Sequence, residues 1–229
     1  MIEFKDLGIF VNDTLIISDL HIGYEAYLNR KGILVPRTMF EKQKKKIIAL
    51  LKSLKPKLVI FNGDIKHEFG IISSQEWNDT YDLIDMVKRV SKLIFIKGNH
   101  DKITEVIAKK KDVDVFDKYI IDDVLICHGD FIPDEVDDKK IKNIIIGHEH
   151  PAIFLREDAK AEKYKCFLKT KFKCKNLYVL PSFNLANEGT DVTSERLLSP
   201  FLKDAKEFEI TITQDGELFN FGNVKRDVI

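Results

Sequence analysis

Five short stretches carry most of the residues in this sequence that could do chemistry. Gly98-Asn99-His100-Asp101 follows the largely apolar run 93–97. Asp19-Leu20-His21 follows Leu15-Ile16-Ile17, and Gly63-Asp64 follows Leu58-Val59-Ile60-Phe61-Asn62. His128-Gly129-Asp130 follows Val124-Leu125-Ile126-Cys127, and Gly147-His148-Glu149-His150 follows Ile144-Ile145-Ile146. Five of the six histidines lie in these stretches. A glycine and polar residues directly after a buried strand make a poor core. They make a good site at the carboxyl end of a sheet, where open α/β sheets bind ligands. We read the five stretches as one site.

Taken alone, each residue has an ordinary explanation: a strand-end Asp is a cap or turn residue, and Asn99 is a turn former. The joint pattern says more. Asp-x-His and His-x-His set two ligands two residues apart, so in extended chain both side chains point the same way. The candidate metal ligands are Asp19, His21, Asp64, Asn99, His128, His148 and His150. That set is too large for one ion and suits two, with one carboxylate shared. Mixed imidazole and carboxylate ligation favours divalent transition metals over Ca²⁺ or Mg²⁺, Mn²⁺ first, then Fe²⁺, Ni²⁺ or Zn²⁺. Two such ions, about 3.5–4 Å apart, clamp a phosphate and activate a water for in-line attack. The expected chemistry is hydrolysis of a phosphate ester without a covalent enzyme intermediate.

The elements that must position these residues can be read in order. Residues 9–11 and 14–18 form a hairpin about Asn12-Asp13, whose second strand delivers Asp19 and His21. Pro36 suits the first turn of a helix, and Phe40, Ile47, Leu51 and Leu54 then share one helical face. Lys42 and Lys44-Lys45-Lys46 lie off that face, as a solvated surface would. Strand 57–62 leads to Asp64 and His67; a helix over about 75–91 aligns Trp77, Tyr81, Ile84 and Val87; strand 93–97 follows. This order implies right-handed crossovers and a parallel sheet segment. A short helix is expected over 102–111, and two strands over 113–127 about Asp122-Asp123. Beyond that point 152–156, 163–175, 177–181 and 207–213 look extended, and Asp215-Gly216 turns into a last short strand. With no linker or repeat, we expect one α/β domain over 1–229, two sheets face to face with helices outside.

Composition narrows the function classes. Hydrophobic residues make up 44% and charged residues 32%, as in a soluble globular protein, and the formal net charge is zero. There is therefore no global pull toward nucleic acid or anionic membrane. No apolar run approaches membrane-spanning length, and the first residues lack a signal peptide's order, so the expected location is the cytoplasm. Cys127, Cys166 and Cys174 form no disulfide framework. Residues 163–175 alternate: Lys163, Lys165, Lys169, Lys171, Lys173 and Lys175 occupy odd positions, with Phe167 the exception. This reads as a half-buried strand or hairpin, its lysine face either keeping a sheet edge soluble or contacting a phosphate backbone.

The ordered set Asp-x-His, Gly-Asp, Gly-Asn-His-Asp, His and Gly-His-x-His over 19–150 resembles the calcineurin-like metallophosphoesterases. The resemblance implies a four-layer α-β-β-α sandwich with two central mixed sheets flanked by helices. It implies Asp19, His21 and His150 at a first metal, Asn99, His128 and His148 at a second, and Asp64 bridging them. His100 resembles the histidine that contacts the substrate phosphate, as Asn99 also does, and protonates the leaving oxygen; Asp101 resembles its orienting carboxylate. Asp19-Leu20-His21-Ile22-Gly23-Tyr24-Glu25 and Leu180-Pro181-Ser182-Phe183-Asn184 resemble archaeal relatives of the SbcD-type nuclease subunit. Against a nuclease stand the 229-residue length, with little room for a DNA-capping domain, and His67 where many relatives carry an acid. His67 is either a further phosphate contact or a loop residue. The expected activity is metal-dependent hydrolysis of phosphodiesters, small or cyclic nucleotide diesters foremost. A nuclease acting on DNA or RNA ends, a phosphomonoesterase, and a binding subunit with a lost site are the competing readings. Every motif is complete, which argues against the last. Nucleic acid as a partner and a homodimer both stay open.

Overall fold

The apolar runs that precede the candidate ligands are strands, and they fall in two sheets. The computed structural model describes residues 1–35, 38–67, 74–101, 104–157 and 160–226; Pro36 and residues 102–103 lie outside them. The first sheet has the order β1 (Glu3–Lys5), β2 (Gly8–Val11), β3 (Thr14–Ser18), β4 (Leu58–Asn62), β5 (Lys92–Ile96) and β6 (Asp114–Phe116). β2 and β3 form the expected hairpin, with Asn12 and Asp13 both left-handed, as a two-residue turn requires. From β3 to β6 the pairing is parallel. The crossovers carry the helices α1 (Tyr24–Arg30), α2 (Met39–Leu54), α3 (Ser74–Lys88) and α4 (Thr104–Lys111).

The second sheet contains β7 (Lys118–Ile121), β8 (Val124–Cys127), β9 (Asn143–Ile146), β10 (Pro151–Glu157), β11 (Lys160–Phe172), β12 (Lys175–Val179) and β13 (Thr190–Asp191). Its order is β13-β10-β11-β12-β9-β8-β7, and the hairpin of β14 (Glu207–Gln214) and β15 (Glu217–Lys225) joins through β11.

Three apolar layers explain the near-continuous hydrophobic strands. Ile9, Val11, Ile16, Ile60 and Ile94 meet Val124, Ile126, Ile145 and Phe167 between the sheets. On the outer face of the first sheet, Leu15, Ile17, Phe61 and Phe95 pack against Ile47 and Leu51 of α2, Ile84 of α3 and Ile107 of α4. On the outer face of the second, Cys127, Ile146, Leu168 and Val179 are covered by Val136 of a 3-10 helix (Asp134–Asp137) and by Phe201 and Leu202. Strands buried on both faces have no polar side to alternate with. The result is two mixed sheets flanked by helices, as the motif order implied.

Three expectations change. Residues 113–127 hold three strands, because the chain leaves the first sheet at Asp117 and enters the second with β7. The last strand, β15, is nine residues long. And β11 is an interior strand, paired with β10, β12 and β14, so its lysines do not guard an edge. Its odd-numbered face looks toward the first sheet. Phe167 breaks the lysine row because there the first sheet covers the strand, and Phe4 of β1 stacks on its ring at 4.3 Å. Where that cover ends, each lysine finds an internal acceptor. Lys163 donates to Glu195, Lys169 to Glu209, Lys171 to Asn176 and Lys173 to Asp137, all within 3.0 Å. Lys175 donates to the carbonyls of Asp138 and Ile141.

Candidate metal centre

All five motif stretches meet at the carboxyl ends of β3, β4, β5, β8 and β9. The residues are not simply the last positions of extended strands. Asp19, His21, Asp64, His148 and His150 have φ of 58°, 43°, 48°, 65° and 51°, in the left-handed region. Asp and His tolerate that conformation better than most residues, but it still costs about 1–2 kcal/mol each. The two-residue spacing therefore works through tight turns rather than through strand alternation. Those turns aim backbone N–H groups inward: His148 N donates to Asp19 Oδ2 at 3.1 Å, and His100 N to Asp64 Oδ1 at 3.0 Å. The motif glycines leave room for this. A side-chain carbon at Gly98 would collide with Asp64 Oδ1, and one at Gly147 with Ser18 Oγ and Asp19 Oδ2.

Two groups of ligand atoms result, each lying within 4.8 Å: Asp19, His21, Asp64 and His150 in one, Asp64, His128 and His148 in the other. Asp64 belongs to both. Its Oδ2 is 3.7 Å from His21 Nε2, and its Oδ1 is 3.5 Å from His128 Nε2. Within the first group, His21 Nε2 and His150 Nε2 are 3.2 Å apart, and His150 Nε2 is 3.0 Å from Asp19 Oδ1. In the second, Asn99 Oδ1 is 3.2 Å from His128 Nε2. Two nitrogens sharing one ion at ordinary bond lengths sit about 3 Å apart, so the imidazole pair has the right spacing for a common cation. Asp19 Oδ1 is fully buried and faces His150 Nε2, which is itself a ligand atom. A buried carboxylate oxygen set against imidazole nitrogens fits a cation. The set of Asp and His side chains could thus bind two metal ions.

Surrounding groups orient these side chains. The Asn62 carbonyl lies 3.2 Å from His128 Nδ1, which leaves Nε2 facing Asp64. The Asn187 amide lies 2.9 Å from His150 Nδ1. Such partners fix the tautomer of a metal-binding histidine. Ser182 Oγ donates to the Asp19 carbonyl, and Asn184 Nδ2 to those of Leu20 and His21. Behind them Lys165 Nζ donates to the carbonyls of Ser182 and Asn184, and burial pulls its ammonium down to about 7. Glu149, between the two ligand histidines, accepts the N–H groups of Leu198 and Ser199. The sequence flagged the 180–184 stretch only as a resemblance and gave Asn187 and Glu149 no role.

His100 lies outside both ligand groups, its Nε2 3.9 Å from Asp64 Oδ2 and its ring edge-on to His21 at 5.6 Å. Asp101 takes the N–H groups of Ile65 and Gly98 at 2.9 Å and the Thr104 hydroxyl at 2.8 Å. These bonds tie the stretch after β5 to the one after β4. Burial and the nearby Asp64 raise the Asp101 carboxyl to about 6. The His67 ring stands nearly parallel to His100 at 6.1 Å, with Tyr24 and Tyr27 each 4.6 Å away. It is at the rim of the site.

The electrostatics describe a centre that holds protons where cations would sit. Burial would favour neutral His128, but its hydrogen bond to Asp64 and the charges of Asp19 and Asp64 outweigh that and raise it to about 10. Burial and the neighbouring His150 lower His21 to about 3, which keeps its nitrogen available. His128 must lose its proton to become a ligand, so metal and proton compete. Apparent Mn²⁺ affinity should therefore rise with pH between 6 and 8, by up to about tenfold per unit for each proton displaced. Mn²⁺ titrations at pH 6, 7 and 8 check this; a pH-independent affinity would contradict it.

The sequence profile of the calcineurin-like phosphoesterases matches residues 13–176. A search of curated proteins returned no match. Among solved structures, the nuclease MPE of Pseudomonas putida superimposes with a TM-score of 0.70 at 18% identity, covering 94% of this chain and 92% of that one. Yfce, a phosphoesterase from E. coli, aligns over 93% of this chain and 99% of that one, with a TM-score of 0.46 and 10% identity. The first likeness speaks for the fold.

Proposed function

The chain belongs to the calcineurin-like phosphoesterase family, and from that premise we propose that it is a two-metal phosphodiesterase acting on small or cyclic nucleotide diesters, with Mn²⁺ as the preferred ion. The observation that carries this reading is the position of Asp64, one oxygen toward each ligand group. Asp19, His21 and His150 would hold one ion, Asn99, His128 and His148 the other, with Asp64 available to both. Ions held there would supply Lewis acidity and lower the pKa of water. Asn99, His100 and His67 contact the phosphate. His100 gives its proton to the leaving oxygen, and Asp101 keeps the His100 loop in register. Ser182 and Asn184 hold the Asp19–His21 turn.

The internal pairing of the β11 lysines favours small diesters over polynucleotides. Among the described residues, Lys163, Lys169 and Lys173 already face carboxylates. A polynucleotide would be held by several phosphates, and its affinity would fall with a log–log salt slope of about −0.7 per contact for single strands. The expected result is that kcat/KM for a small diester changes little with salt, and that Lys169→Glu, Lys171→Glu and Lys173→Glu together leave turnover of a short oligonucleotide near that of the unaltered protein. If the oligonucleotide is much the better substrate, and both salt and the lysine changes erase that advantage, the nuclease reading replaces this one. Comparing bis-nitrophenyl phosphate with mono-nitrophenyl phosphate separates diesterase from monoesterase.

A further inference from the structure

A cavity of about 580 Å³ opens beside His21, between α1, the start of α2 and the loop at Asn184. Pockets that take small organic ligands measure about 300–1,000 Å³, so a phosphate alone would leave this one nearly empty. Its walls include Ile22, Tyr24, Ala26, Met39 and Phe40. Much of the polar lining is already committed. Gln43 Nε2 donates to the carbonyls of Leu20 and Phe183, at 3.0 and 3.2 Å. The Asn29 side chain bonds both backbone groups of Val35, and Glu25 Oε1 accepts the Phe40 N–H at 2.8 Å. What faces the cavity is mostly apolar and partly aromatic.

Charge decides the class of occupant. Among the described lining residues the carboxylates of Glu25, Glu41 and Asp79 outnumber the one guanidinium, Arg30. That negative balance would repel a second phosphate and favours a neutral, amino-bearing group over an anionic one. His21 lines the cavity and also belongs to the first ligand group. The cavity and the metal centre thus share a wall residue, and a substituent on a phosphorus held at the metals would have the cavity beside it. We infer that this cavity binds the nucleobase of a small nucleotide diester, an amino-bearing base such as adenine, and so selects a mononucleotide ester over a polymer. The inference rests on the phosphodiesterase reading above for the phosphate end of the substrate.

The test compares two diesters with one leaving group, adenosine 5′-(4-nitrophenyl phosphate) and methyl 4-nitrophenyl phosphate, on the Mn²⁺-loaded protein. Adenosine itself, without phosphate, is titrated separately and followed by NMR. The expected result is a kcat/KM ratio of about tenfold or more in favour of the adenosine ester, equivalent to about 1.4 kcal/mol, and saturable adenosine binding. Ala26→Trp, which fills the cavity from a half-buried helical position, should bring the ratio toward one and abolish adenosine binding; Phe40→Ala should lower both. Equal turnover of the two esters without adenosine binding overturns the cavity assignment and leaves the phosphodiesterase intact. Adenosine binding without turnover of either ester does the reverse. A preference that survives Ala26→Trp puts the base elsewhere, and a phenyl ester as good as the adenosine ester shows a generic aromatic pocket; either result overturns the proposal.

Discussion

Asp64→Ala is expected to lose both metal ions and, with them, at least about 10³-fold in turnover of a small diester, a barrier increase of about 4 kcal/mol. The size of the effect follows from the position of one side chain. Oδ1 faces His128 and receives the His100 N–H, while Oδ2 faces His21. No other carboxylate among the described residues belongs to both ligand groups. Removing it also takes from the histidine cluster one of the carboxylates that balance it. The contrast is His148→Ala, which touches only the second group and should keep one ion. Elemental analysis of the Mn²⁺-loaded variants distinguishes the cases. Asp64→Ala retaining two ions per chain would show that the groups are independent.

His100→Ala should keep both ions and lose about 10²–10⁴-fold in turnover of diesters with poor leaving groups, the usual contribution of a positioned proton donor. The ring lies beside the metal centre but in neither ligand group, and its side chain is 23% exposed, open to a substrate. Its backbone is held by Asp64, and the loop around it by Asp101, which supports a fixed ring position. Nitrophenolate leaves without much protonation, so a nitrophenyl diester should suffer far less than an alkyl one. That split between leaving groups is the signature of a proton donor; a uniform loss for both would indicate a phosphate contact alone. Metal loss in His100→Ala would place the ring among the ligands and overturn the assignment.

The candidate site was legible because its chemistry is local. A buried strand that ends in Gly-Asp or Gly-His-x-His announces both the sheet and the face that carries the site. Strands and long helices were legible for the same reason: Ile47 and Leu51 of α2, and Ile84 of α3, repeat at helical spacing and pack on the first sheet. α1 was not anticipated, because it contains no buried residue to set a period. The sheet change at Asp117 was hidden too, since two strands on one pairing path and two on different sheets look alike along the chain. The lysine row of β11 misled for a related reason. Alternation shows that two faces differ, and here the charged face is roofed at Phe167 by the first sheet and flanked by Glu195, Glu209 and Asp137, all distant in sequence. The left-handed turns at Asp19, His21, His148 and His150 also lie beyond pattern reading, because Asp and His permit that conformation without demanding it.

The most direct test of a shared dinuclear centre is a titration of the metal-free protein with Mn²⁺, in which bound metal and hydrolysis of bis-nitrophenyl phosphate are followed in the same samples. The proposal of two ions bridged by Asp64 predicts saturation at two ions per chain and activity that develops with the second. Full activity at one ion per chain, or two ions bound with no hydrolysis, would contradict it.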